Sequence, residues 1–230
     1  MAEHSSEWLL PKLRSAVTSA TLPSPKRDIV FTTEPTDVAC DIMARLKRET
    51  AHLHAELDAM VAPMLTARAR YQTLLAGLRD AYGVIEKELA RHAPQLASAG
   101  YNVAQRTKLG WLDEDLTALS GSRPSAIRPS YSLPYVSAAF GAVYVVEGAT
   151  LGGQVIARQV IPALALSSER GCRFFTGYGT ETGERWRGTR DAIEGYHAST
   201  LEPDAANGTI AGARQTFSLI TASLLARIRP

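Results

Sequence analysis

The chain has 230 residues, 45% hydrophobic, 21% charged and 7% aromatic, proportions that exclude a disordered, collagen-like or membrane chain and leave one or two soluble globular domains. Two cysteines, Cys40 and Cys172, form no Cys-x-x-Cys pair, so a disulfide framework, a zinc ribbon and a thioredoxin-type motif lack support, and a core of this size needs none of them. A formal net charge of +2 singles out neither nucleic acid nor an anionic membrane as partner, while the predominance of arginine over the five lysines leaves anionic small molecules as candidate ligands.

No uninterrupted apolar stretch reaches the ~18 residues of a membrane span, and MAEHSSEWLLPKLRSAV lacks the basic and apolar regions of a secretion signal; a cytoplasmic protein is the expectation. Residues 1–35 are rich in Ser, Thr and Pro without helical period and read as a mobile or loosely docked extension to a domain spanning 36–230. A helix is predicted from Thr36 as N-cap, with Asp37 in its first turn, to the stop at Pro63. A second covers about Thr66 to His92, with Tyr71, Leu74, Leu75, Leu78, Tyr82, Ile85 and Leu89 at spacings of three and four, ending before Pro94. A shorter helix spans roughly Lys108 to Leu119. The apolar segment from Ser132 to Leu164 is too long for a strand and reads as one helix bent near Gly148 to Gly153. FFTGYGTETG is a loop, GERWRGTRDAIEGYHAS a helix, and the last helix runs from about Asp204 to Arg229. No alternating strand pattern appears, so the fold class is all-α.

At 100° per residue with Ile42 at zero, Leu46, Leu53, Leu57 and Met60 fall within about 60° and define the buried stripe of the first helix. His54, at about 120°, sits at its edge with Thr50 and Lys47, whereas His52, at about 280°, lies with Arg45, Glu49 and Glu56 on the side left in water. Only His54 is therefore placed to face an interior cavity, with Lys47 about 10 Å earlier along the axis on the same flank. An imidazole and an ammonium so arranged suit a planar ligand with a metal at its centre and anionic groups at its rim, and heme is such a ligand. Asp58, one turn on, is positioned to accept the second ring proton of His54. Without a ligand, the same features describe an ordinary boundary histidine.

Gly148, Gly152 and Gly153 interrupt the apolar helix, each costing about 1 kcal/mol relative to Ala. Close helix packing is one compensation. A flat ligand lying directly on the backbone is the other.

LKRETAHLH at Leu46 to His54, followed by Glu56 and Asp58, resembles the proximal helix of heme oxygenases, and YVVEGATLGG resembles their distal glycine helix. WLDEDLTAL and FFTGYGTETGERWRG are similar to the bacterial branch, and YVVEGATLGG to the enzymes that accompany bacteriophytochromes. The resemblance covers about residues 37 to 228. It implies a single all-α helical bundle that sandwiches heme between proximal and distal helices. His54 matches the iron ligand, Lys47 a partner of a heme propionate, and Gly148 and Gly152 the glycines over the distal face. Arg187 falls where a second propionate partner is expected, and Tyr178 is a further candidate near that edge. The implied reaction takes heme b as both substrate and cofactor, with O2 and electrons from a ferredoxin or a reductase, and yields biliverdin, CO and ferrous iron. A bacteriophytochrome is the inferred recipient of the bilin. Mammalian-type members carry an Asp after the first distal glycine where this chain has Ala149, which separates its proton-delivery route from theirs.

Two other readings stay open. A non-catalytic heme carrier would keep His54 and lack oxygen activation. Glu49-Thr-Ala-His52 and Glu194-Gly-Tyr-His197, with Glu86, Glu88 or Glu147, match the Glu-x-x-His spacing of di-iron carboxylate bundles, although helical phase puts the first pair on the polar side.

Overall fold

A helix whose apolar residues circle its whole circumference must be surrounded by protein, and the computed structural model, which describes residues 41–121, 125 and 127–228, builds its core on such a helix. Its helices in chain order are α1 (Ile42–Val61), α2 (Arg68–Arg91), α3 (Ala93–Ser98), α4 (Leu109–Ser120), α5 (Val136–Ala163), α6 (Arg173–Thr176), α7 (Thr182–Ser199) and α8 (Ala205–Ile228). Among the described residues there is no strand, only an isolated bridge between Ser167 and Gly171. The fold is all-α.

Every residue of α5 from Ser137 to Glu147 is buried. By length and composition α5 would pass for a membrane span, but 72% of its most apolar window is buried inside the protein, as expected of a core helix. It runs unbroken through Gly148, Gly152 and Gly153. Its main partner is α8, which also packs on α2 and α1. The α5–α8 crossing is set by two glycines. A Cβ on Gly141 would lie 2.1 Å from the Thr209 carbonyl oxygen, and one on Gly212 would lie 2.1 Å from that of Ala138, so the two backbones touch where any side chain would hold them apart.

Within the described residues the first helix begins at Ile42. Asp41 is the N-cap, its side chain accepting from the backbone N–H of Met43 at 2.9 Å and of Ala44 at 3.2 Å. The predicted cap at Thr36 and the boundary between residues 35 and 36 lie outside the described residues. Pro63 ends α1 through a 3-10 turn, Ala62–Leu65. In α2 the seven residues at helical spacing from Tyr71 to Leu89 are all buried. Two short helices depart from the prediction. Pro94 opens α3 from its first turn instead of only closing α2, and α6 forms a single turn inside the predicted FFTGYGTETG loop. The last is held by Asp115 of α4, whose carboxylate accepts from the Arg173 N–H at 2.7 Å and the Phe174 N–H at 2.9 Å.

Candidate functional site

On α1 the buried face is Ile42, Met43, Leu46 and Thr50, with Leu53, Leu57 and Met60 half-buried. His54 follows Thr50 by one turn and keeps 52% of its side chain exposed. Its Nδ1 lies 3.0 Å from the Asp58 carboxylate, and its ring meets Phe217 of α8 edge-on at 6.1 Å. The hydrogen bond to Asp58 raises the imidazole pKa above its ordinary value, against the opposing effect of burial. With Nδ1 so engaged, Nε2 has no partner among the described residues and is directed by a fixed ring, the arrangement that metal-bound histidines use.

One turn before His54, Thr50 donates to the Leu46 carbonyl at 2.7 Å, and its side chain lies near that of Tyr144 of α5. Tyr144 in turn precedes Gly148 by one turn. The three glycines of the segment divide by environment. Gly153 is a packing glycine, since a Cβ there would lie 3.0 Å from the Phe175 carbonyl oxygen. At Gly148 it would meet only the indole of Trp186, at 3.8 Å, and at Gly152 nothing within 4 Å. Ala149 is exposed. Gly152 thus has no packing reason to lack a side chain, whereas Gly148 faces Trp186.

The neighbouring side chains of α5 point elsewhere. Glu147, 1% exposed, accepts from Lys108 Nζ at 2.7 Å, Tyr101 OH at 2.9 Å, and Arg106 and Tyr178 OH at 3.1 Å each. Lys108 is itself 1% exposed and donates further to the Arg106 carbonyl. Burial pushes the phenols of Tyr101 and Tyr178 up from their ordinary range. The Thr150 hydroxyl is committed to the Glu147 carbonyl at 2.6 Å. Of the residues read from sequence, Tyr178 therefore joins this buried ionic cluster and also packs edge-on against Trp111 at 5.3 Å. Arg187 is exposed and lines an open cleft along the first half of α7 with Arg106, Arg185, Glu181 and Glu184. Lys47 is exposed on α1. Tyr144, Trp186, Phe217 and the Glu147 cluster escape the sequence reading. They are ordinary apolar or charged residues until distant helices bring them together.

The Glu-x-x-His motifs do not converge. His52 is exposed. Glu49 is half-buried instead of solvated, pairing with Arg45 at 3.2 Å and with Arg214 of α8 at 2.8 Å, and its bond to Arg45 holds its carboxyl below the usual range. Glu194 pairs with Arg190, and His197 contacts the Thr209 hydroxyl at 3.0 Å. Glu86 accepts from the first N–H groups of α4, and Glu88 from Arg91 and the Leu133 N–H. Among the described residues no group of three His, Cys, Asp or Glu side chains is placed to hold a metal ion.

The chain as a whole is similar to known proteins. Residues 40–225 match the family model described as heme oxygenase. The fold resembles the NO- and CO-bound heme oxygenase of Neisseria meningitidis (TM-score 0.69, 22% identity, 82% of this chain and 92% of that one). It also resembles the heme oxygenase of Leptospira interrogans (TM-score 0.63, 17% identity, 80% of this chain and 98% of that one). No curated protein sequence matches the chain.

Proposed function

From the premise that this chain belongs to the heme oxygenase family, and so is an enzyme of heme degradation, we propose that it opens the heme ring to biliverdin, CO and ferrous iron between α1 and α5. The observation that carries the reading is the His54–Asp58 pair on α1, one turn beyond a contact with α5, together with the Gly152 backbone that no protein side chain covers. The residues fit the ligand: an oriented imidazole with a free Nε2, a strip of helix without side chains, and exposed cations at Lys47 and Arg187 for the carboxylates of the rim.

In this reading bound heme supplies both the redox-active iron and the ring that is cleaved. His54 would hold the iron through Nε2 while Asp58 keeps the proton on Nδ1. As a ligand, a neutral imidazole would donate less electron density to the iron than a thiolate does. Gly148 and Gly152 let the ring approach the α5 backbone, and Ala149 leaves this wall without an acid side chain. Glu147 does not substitute, because its carboxylate is saturated by four donors on another side of α5. Lys47 and Arg187 pair with the propionates, Arg187 from the α7 cleft. Electrons come from a ferredoxin or a reductase, and the bilin goes to a bacteriophytochrome in the same cytoplasm.

The test is an absorption titration of the full chain with hemin, followed in air after a ferredoxin reducing system is added. A stoichiometric Soret band that decays into a biliverdin band supports the reading. A Soret band that persists makes the chain a carrier, and no band at all overturns heme binding. In His54→Ala the histidine-ligated ferric spectrum is expected to disappear; its survival would sink the ligand assignment.

A further inference from the structure

The α5 glycine strip is closed at one end and open at the other. At Gly148 the six-membered ring of Trp186 stands at contact distance from where a Cβ would be, whereas four residues on, Gly152 faces nothing within 4 Å. Trp186 does not stand alone. Its ring is tilted against Tyr144 at 5.9 Å, and Tyr144 reaches α1 through Thr50. Three helices therefore meet at the Gly148 end, one turn before His54 on α1.

The indole is also held from behind. Gln154 of α5 donates to the Gly179 carbonyl at 2.7 Å and to the Thr182 hydroxyl at 2.8 Å, tying the start of α7 to the far end of the strip. Arg106, anchored by the buried Glu147 carboxylate, donates to the carbonyl of Arg185, the residue directly before Trp186. A side chain whose backbone is fixed on both sides is a rigid wall that a ligand must fit.

We propose that Trp186 is a specificity-determining residue: its indole stops the heme ring at the Gly148 end of α5, sets the in-plane seating of the ring, and so decides which meso edge is presented for oxidation. This rests on the heme-degrading reading above. Propionate pairing fixes the rim of the ring. The indole fixes the direction in which the body of the ring can slide, because it stands against Gly148 while nothing lies within 4 Å of where a Cβ on Gly152 would be. The Gly148→Gly152 asymmetry thus becomes a product choice.

The experiment compares the full-length wild type with Trp186→Phe and Trp186→Leu, each loaded with hemin. The first readout needs no turnover: the heme-methyl NMR shifts of the ferric cyanide complex report the in-plane orientation. The second is chromatography of the biliverdin isomers. Trp186→Leu is expected to move the methyl pattern and to shift the ratio of the two leading isomers about tenfold, a change that small barrier differences produce. Trp186→Phe, with a shorter ring, is expected to fall between, and it keeps the test alive if the leucine variant fails to fold. Methyl shifts and isomer ratios equal to wild type in both variants would overturn the wall while leaving the function intact. A wild type that binds hemin without opening it removes the function, yet an altered methyl pattern would still support the wall. A wild type that binds no hemin removes both.

Discussion

Neighbouring glycines on one helix do unrelated work. Gly153 lies against the Phe175 backbone, so Gly153→Ala forces a shift of main chain and is expected to destabilise by about 1–3 kcal/mol. Gly152→Ala adds a methyl into open space and removes the helix cost of glycine, about 1 kcal/mol; it is expected to hold or raise stability while weakening hemin binding. Urea unfolding and hemin titration of the two variants check the pair, and loss of stability in both would mean that the strip is only packing. At this scale the sequence is a good guide for residues whose surroundings lie on their own helix. His54 and Asp58 are one turn apart, and their pairing follows from 3.6 residues per turn. Glu49 shows the limit. Its helical angle is about 340°, only about 20° from the buried stripe, so it is as near to α8 as to water, and Arg214, 165 residues away in the chain, decides the matter.

Long elements announce themselves and short ones do not. The predicted helices ending at Pro63, spanning Thr66 to His92, Lys108 to Leu119 and Asp204 to Arg229, and the single long apolar helix, all reappear within a few residues of their expected ends. Such runs show the 3.6-residue period several times over. The six residues of α3 and the four of α6 never complete enough turns to show one, and the N-terminus of α6 is satisfied by another element. Asp115 performs that service for α6, and it carries a pH signature. Burial outweighs the two backbone N–H bonds and pushes its carboxyl up to about 6 from an ordinary 3.8. Between these values the unfolded chain has released the proton that the folded chain still holds. Stability should therefore fall as pH rises from about 4 to 6 and level off above. In Asp115→Asn this descent should vanish from a pH series of denaturation curves, with a lower plateau at acid pH because one acceptor is lost. An undiminished slope would assign the titration to another group.

For the molecule as a whole, a net charge of +2 conceals a buried ionic centre that joins three stretches of chain. Lys108 and Arg106 precede α4, Glu147 belongs to α5, and Tyr178 lies between α6 and α7. Composition registers these charges but not their convergence, which is why the cluster could not be read beforehand. Removing one member of a buried pair strands the other, a loss of about 3–5 kcal/mol. Lys108→Met takes the nearer of two cations from Glu147 and leaves Arg106 at 3.1 Å, so it is expected to lose less than that in chemical denaturation, and adding Glu147→Gln should recover part of it. Additive losses in the double variant would show that the two groups are not coupled.

The backbone contact at Gly141 and Gly212 bears on how the molecule can diverge. Substitution at either position drives a carbonyl and a side chain into the same space, so natural drift has almost no latitude along the first half of α5, and Gly148 inherits that immobility seven residues later. Descendants of this sequence that acquire a different product preference are therefore expected to carry their changes on α7 and α1, with the platform itself passed on unaltered.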